Sequence, residues 1–276
     1  MNRLFVAIDG NSLMHRAFHA IAELDDGRGN PTNAIYGFTG MLLKVLKDYE
    51  PSHLAVAFDM HGPTFRHLAY EAYKGTRKPT DETLRPQFPR VKELLRAMKV
   101  TIIEVPSFEA DDILGTLARK CEEAGMPAMI VTGDRDSLQL VTETTHVLYT
   151  RRGISDTVEF DPETVRAQYG VTPAQVPDLK GLMGDASDNI PGVPGVGEKT
   201  ALKLLDEYGS VEGIVTLTDV MESIAGDMPD PGEIAEQAAV QRDDGSWLVN
   251  GSMPVDEFES QFGMRGLRDD GDFHTV

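Results

Sequence analysis

The chain has 276 residues, 41% of them hydrophobic, which is enough to bury a core and excludes disorder as its main state. Forty-five Asp and Glu against 26 Lys and Arg leave a formal charge of -19, and a single cysteine, Cys121, excludes an intramolecular disulfide. No apolar stretch of about 18 residues occurs, and the N-terminal run stops at an aspartate; these features predict a cytoplasmic protein without signal peptide or membrane span.

The first predicted element is a strand, Leu4-Phe5-Val6-Ala7-Ile8, ending at Asp9. Helices over 11–22 and 32–49 follow, then a strand from Leu54 to Phe58 that ends at Asp59. A helix over 87–98 leads to a strand over 100–105, which runs through Pro106 into Phe108-Glu109-Ala110-Asp111-Asp112. A helix over 109–124 precedes the strand Ala128 to Thr132, which meets Gly133-Asp134 and a short helix over 137–141. Continuous apolar runs alternating with helices predict an α/β fold with a mostly parallel central sheet flanked by helices. The strand C-termini of such a sheet share one edge, so Asp9, Asp59 and Asp134 are predicted to converge.

Residues 62–86 interrupt the alternation with Gly62, Pro63, Gly75, Pro79 and Pro86, and read as a partly helical, mobile excursion on that edge. Strands cease after Gly170, and 174–205 reads as helices joined by a Gly/Pro hairpin. Residues 206–276 hold 17 acidic against three basic residues, whereas 63–103 hold nine basic against four acidic, so a local basic stripe survives in an acidic chain. Asp244-Gly245 signals a turn ahead of the short strand Trp247-Leu248-Val249. The organisation predicted is a core over 1–170 with its excursion at about 62–86, a helix-hairpin-helix region over 171–210 and an acidic extension over 211–276.

Asp9, Asp59, Glu109, Asp111, Asp112, Asp134 and Asp136 collect at the predicted edge, and Asp185 and Asp188 add to them. Taken singly, an aspartate after a strand is more often a cap or turn former. Ser107 could cap the next helix, with Glu109, Asp111 and Asp112 merely complementing its dipole. Taken together, so many carboxylates in one cleft require protonation or cations. Oxygen donors without a His/Cys cluster select Mg²⁺ or Mn²⁺, and two such ions about 4 Å apart clamp the oxygens of a phosphodiester. On a regular helix Glu109 and Asp112 share a face and Asp111 does not, so Glu109 and Asp111 act together only if the helix begins irregularly.

Arg66, Tyr70, Tyr73, Lys74, Arg77 and Lys78 interleave cations and rings. This suits either a solvated loop or a site where Lys74 and Arg77 hold a phosphate and tyrosines stack an unpaired base. Gly192-Val193-Pro194-Gly195-Val196-Gly197-Glu198-Lys199-Thr200 is not a nucleotide-binding loop, because Glu198 separates glycine from lysine. Its small residues suit a hairpin whose backbone N–H groups approach a DNA phosphate, or an ordinary interhelical turn.

Over about residues 3–210 the chain resembles the flap endonuclease / 5′-3′ exonuclease family, which includes the nuclease domain of bacterial polymerase I-type enzymes and stand-alone phage nucleases. The resemblance rests on Asp9-Gly10-Asn11-Ser12, Ala57-Phe58-Asp59, Thr64-Phe65-Arg66-His67, Tyr73-Lys74-Gly75, Glu109 to Asp112, Gly133-Asp134-Arg135-Asp136 and Gly184-Asp185-Ala186-Ser187-Asp188-Asn189-Ile190-Pro191-Gly192. It implies that Asp9, Asp59, Glu109 and Asp111 hold one metal ion, that Asp112 acts through water, and that Asp134, Asp136, Asp185 and Asp188 serve a second. It implies a helical arch in which Lys74 and Arg77 act on the scissile phosphate, with Arg66 and Tyr73 also at the DNA and Tyr36 near the duplex junction. Gly192, Gly195, Gly197, Lys199 and Thr200 fall in the family's DNA-binding hairpin, which in relatives also binds K⁺ through backbone carbonyls. The implied activity is Mg²⁺- or Mn²⁺-dependent hydrolysis, by a monomer, of DNA with a 5′ flap or free 5′ end. RNA-primed ends are among the candidate substrates, and the setting is replication and repair.

After about residue 210, Asp206-Glu207-Tyr208-Gly209, Gly213-Ile214-Val215-Thr216 and Gly245-Ser246-Trp247-Leu248-Val249 resemble the cytosolic tail of hemolysin-related ion-transport proteins, from a CBS domain into the transporter-associated domain. A divergent acidic tail is the other reading. Two rival functions stand beside the nuclease: a non-catalytic DNA-junction binder, which gains nothing from carboxylates that repel phosphates, and a small ribonuclease, which needs neither arch nor hairpin.

Overall fold

Strand β1 (Phe5–Asp9) lies between β2 (His53–Ala57) and β4 (Ala128–Thr132), pairing parallel with both. With β3 (Thr101–Ile103), β5 (Thr145–Arg152) and β6 (Asp156–Phe160) they form a six-stranded sheet ordered β3-β2-β1-β4-β5-β6. Every pair is parallel except β5 with β6. The chain winds outward from β1 to β3 and then returns to the other side of β1. The order therefore reverses between β1 and β4, and that crevice is where open α/β sheets build their sites. The computed structural model of the protein describes residues 3–152, 156–214, 239–241, 246–249, 258–259 and 262–263. The chain divides into two units, Met1–Thr216 and Leu217–Val276.

Helices cover both faces of the sheet, which is why the central strands are continuously apolar. On one face α1 (Gly10–Ala20), α2 (Asn33–Tyr49) and α4 (Gln87–Ala97) bring Leu13, Phe38, Leu42 and Leu95 against Val6, Ile8, Val56 and Val131. On the other, α5 (Ala110–Glu123), α6 (Pro162–Tyr169), α7 (Val176–Met183) and α8 (Glu198–Tyr208) bring Leu114, Val165, Leu182 and Leu205 against Ala7, Ala57, Ile130 and Val147. No helix among the described residues is long and apolar enough to cross a membrane.

Sequence alone predicts the first four strands, and the structure adds β5 and β6. Thr, His and Arg punctuate β5, and Asp, Thr and Glu punctuate β6, which is a sheet edge with β5 next to it. Between β2 and α4, the expected helical arch has one helix, the five-residue α3 (Phe65–Ala69), and otherwise turns. Its base is tied down: the Lys74 N–H donates to the Asp188 carbonyl at 3.0 Å and the Asn189 side chain to the Ala72 carbonyl at 2.7 Å.

Gly184 and Gly192 flank the loop between α7 and the hairpin with φ of +82° and +69°. A Cβ on Gly192 would lie 2.3 Å from the Gly184 nitrogen. Gly192, expected at a DNA phosphate, thus has its Cα face closed by the chain at 183–184. Gly192→Ala is expected to cost about 2–4 kcal/mol of stability. A thermal melt indistinguishable from wild type would refute this.

In the second unit, β7 (Ala239–Gln241) pairs antiparallel with β8 (Trp247–Val249), Val240 opposite Leu248. This is the predicted hairpin; its turn at Asp244-Gly245 lies outside the described residues. Trp247 meets Phe262 edge-on with ring centroids 5.2 Å apart.

Candidate active site

Three strand-end carboxylates each cap a helix. Asp9 Oδ1 accepts from Ser12 N at 2.9 Å, Asp59 Oδ1 from Ala110 N at 2.7 Å, and Asp134 Oδ1 from Asp136 N at 3.0 Å. Capping and convergence therefore go together, because each cap fixes a carboxylate at the positive end of α1, α5 or the 3₁₀ turn Arg135–Leu140. Asp9 is further held by the Thr132 hydroxyl at 2.8 Å. Asp9, Asp59, Glu109, Asp111 and Asp134 line one cleft of about 490 Å³, and Lys74, Arg77 and Lys78 line it with them.

The start of α5 resolves the conflict between Glu109 and Asp111. Glu109 is the N-cap, with extended backbone (φ -94°, ψ 163°), so it lies outside the helical repeat. Ser107 does not cap α5; its φ is +68° and its carbonyl accepts from Phe65 N. Burial, together with Asp9, Asp134, Asp59 and Asp136, raises Asp111 well above the usual carboxylate range. Burial, reinforced by Asp59 and Asp134, raises Asp9 to about 6.

A second cluster adjoins the first. Asp136, Asp185 and Asp188 each bring an oxygen within 4.8 Å of the others. Lys180 on α7 is bonded to Asp136 and lies 2.7 Å from Asp185 Oδ2. Although they share one ammonium, the two carboxyls move apart. Burial and Asp134 raise Asp136 to about 6 in spite of Lys180. Burial also pushes Asp185 upward, but Lys180 and the Ser187 hydrogen bonds hold it down to about 2. Sequence reasoning missed Lys180; its position five residues before Asp185 on a helix leading into the acidic loop was the available signal.

The basic residues turn inward onto these carboxylates. Lys74 Nζ donates to Glu109 Oε1 at 3.0 Å, and Arg77 pairs with Asp188 Oδ1 at 2.6 Å. Arg66 grips Asp112 with two bonds of 2.8 and 2.9 Å and stacks on Phe65 at 4.6 Å. The oxygens of Asp112 serve Arg66 and, at 2.9 Å, the Glu109 N–H. The Arg66 guanidinium is engaged by Asp112 as that of Arg77 is by Asp188. Tyr73 lies deeper than the sequence suggests. It is 7% exposed and donates its hydroxyl to Glu109 at 2.9 Å and Asp188 at 3.1 Å, so its ring is not open to a base. Tyr36 stands on α2, 62% exposed and outside the residues that line the cleft. Gly195 and Gly197 have open space around them, and Lys199 and Thr200 are exposed in the first turn of α8.

The cleft fits divalent cations on its own evidence. Asp111 Oδ1 is fully buried and has no hydrogen-bond partner, an arrangement that costs stability without a cation nearby. The carboxylates around it, Asp9, Asp59 and Asp134, supply oxygen donors, the preference of hard ions.

The family model described as "5'-3' exonuclease, N-terminal resolvase-like domain" matches residues 4–170, and "5'-3' exonuclease, C-terminal SAM fold" matches residues 171–241. The second match runs through Asp206-Glu207-Tyr208-Gly209 and residues 213–216, and ends before Gly245. DNA polymerase I of Bacillus caldotenax is 50% identical over 219 residues, 79% of this chain and 25% of that protein. DNA polymerase I of Bacillus subtilis (strain 168) is 50% identical over 214 residues, 78% of this chain and 24% of that protein. The chain thus spans about a quarter of the length of the curated relatives it matches. Among solved structures, the T5 D15 protein co-crystallised with metal ions is similar at a TM-score of 0.64 and 20% identity, covering 84% of this chain and 82% of that one. The catalytic core of Rad2 in complex with DNA substrate is similar at 0.53 and 20% identity, covering 81% and 66%.

Proposed function

The chain belongs to the 5′-3′ exonuclease family, and on that premise we propose that it is a structure-specific nuclease that cuts branched DNA by a two-metal-ion route. The observation that carries this reading is the buried, unpaired Asp111 Oδ1 among the carboxylates of the cleft. Asp9, Asp59, Glu109 and Asp111 hold one ion, and Asp134, Asp136, Asp185 and Asp188 a second, Mg²⁺ or Mn²⁺ by the hardness of the donors. Bound there, the pair supplies an activated water and neutralises the charge that develops on a phosphodiester.

Lys74 and Arg77 orient the scissile phosphate, exchanging Glu109 and Asp188 for its oxygens. Gly195, Gly197, Lys199 and Thr200 take the DNA backbone in a contact that ignores sequence, and the hairpin carbonyls suit K⁺. Gly192 holds that hairpin against residues 183–184. The substrate is a duplex with a 5′ flap or free 5′ end, RNA-primed ends included, and the enzyme acts as a monomer. Metal ions with the T5 protein and DNA with the Rad2 core, two proteins of this fold, support metal and DNA as ligands. The change of family match at residues 170 and 171 supports a core over 1–170 and a hairpin region over 171–210, with 211–276 as an acidic extension.

Incubating the protein with a labelled 5′-flap duplex is expected to release fragments cut near the junction in Mg²⁺ and none with chelator. DNA retained without any Mg²⁺-dependent product would favour the junction-binding alternative and overturn the nuclease.

A further inference from the structure

Resting on the assignment of Asp136, Asp185 and Asp188 to the second ion, we propose that Lys180 is a built-in counter-cation of that cluster. A divalent ion enters there by displacing the lysine, so the second site fills at a higher metal concentration than the first.

The two clusters differ in how their charge is balanced. Among the described residues Asp9, Asp59 and Asp111 of the first set make no ion pair and Glu109 alone is paired, with Lys74 and Arg66, whereas of the second set only Asp134 is unpaired. An incoming ion meets largely uncompensated charge at the first set. In the second cluster Lys180 pairs with both Asp136 and Asp185, and Arg77 pairs with Asp188 at 2.6 Å. The ammonium contacts two of the three carboxylates whose oxygens lie within 4.8 Å of one another, so it competes with an ion for Asp136 and Asp185. Occupation by metal costs two ion pairs and sets like charges side by side.

The lysine is built to leave. Its flexible four-carbon stem springs from α7, and its side chain is 35% exposed, so a route to solvent is open. Asp136 and Asp185 lie 49 positions apart in the chain, and Lys180 joins them before any ion is present. It holds the cluster together in the metal-free protein and sets a threshold for the second ion.

Mn²⁺ titrated into the DNA-free protein, with unbound ion followed by its paramagnetic resonance, tests this. Wild type is expected to show a tight and a weak phase. Lys180→Met is expected to tighten the weak phase about tenfold or more while leaving the tight phase unchanged. The unchanged tight phase also reports that the variant is folded. Should Lys180→Met not fold, Lys180→Gln keeps a polar end and gives the same readout. An unaltered or weaker second phase in the folded variant overturns the role of Lys180, provided that Asp185→Asn removes that phase. If Asp185→Asn leaves both phases intact, the metal assignment itself fails and the proposal with it.

Discussion

Asp111→Asn is expected to make the metal-free protein more stable while removing its nuclease activity. The carboxyl is buried beside Asp9, Asp59, Asp134 and Asp136, and one of its oxygens has no partner. A carboxyl whose folded-state pKa lies above its unfolded value favours folding at low pH. That advantage is lost as the pH rises past the unfolded value towards the folded one, because charge must then be held in a buried site. Asp9 and Asp136 both rise from 3.8 to about 6, and Asp111 rises well above 3.8. For the fully buried Asp9 the change amounts to about 3 kcal/mol at neutral pH.

In chelator, wild type should therefore lose stability between about pH 4 and pH 7. Asp111→Asn should gain stability over wild type at pH 7.5 and much less at pH 4, close to the carboxyl's unfolded value of 3.8. Mg²⁺ should stabilise wild type strongly and the variant little, since the cation answers the charge that the amide lacks. Cleavage should fall at least about 100-fold. Thermal melts at the two pH values, with and without Mg²⁺, check the first part. A variant less stable than wild type in chelator at pH 7.5 would sink it.

Asp134→Asn or Asp185→Asn is expected to abolish cutting and leave DNA binding close to wild type. Both substitutions keep the oxygen that organises the local chain. Asp134 Oδ1 caps the turn at Asp136, and Asp185 Oδ1 accepts from Ser187 N at 2.9 Å and its hydroxyl at 2.7 Å. An amide oxygen serves these bonds equally well, whereas its weak affinity for divalent ions does not serve the chemistry. The residues proposed to grip DNA, Lys199 and Thr200 on α8, are separate from both carboxylates. Removing a negative charge beside the phosphates should, if anything, tighten binding slightly. Turnover of a labelled flap duplex should drop about 100-fold or more. Anisotropy measured in chelator should change little. Full activity in either variant would remove that residue from the metal set.

Local pattern carried the outline of the site. Asp9, Asp59 and Asp134 stand at the ends of unbroken apolar runs, and a run buried on both faces belongs in a parallel sheet whatever lies elsewhere in the chain. Glu109 and Asp111 were harder, because their joint use depends on where α5 begins. The capping box between Glu109 and Asp112 settles that start, and Arg66, 46 residues away, supplies the cation that pairs with Asp112. Tyr73 reads as an exposed ring within a basic stretch, yet Asp188, 115 residues further on, receives its hydroxyl and buries it. β5 and β6 escaped notice because polar residues interrupt both segments, leaving no long unbroken apolar run, and β6 is an edge strand.

By itself, then, the order of residues determined the parallel strands β1 to β4, the edge on which the acids gather and the hard-ion chemistry they suit, since these follow from hydrophobic periodicity and donor type along the chain. Tertiary structure alone decided which cation answers which carboxylate: Arg66 with Asp112, Lys74 with Glu109, Arg77 with Asp188, and Lys180 with Asp136 and Asp185. The physical reason is that Coulomb and hydrogen-bond partners are selected by distance in space, and all but one of these pairs join residues 35 or more positions apart.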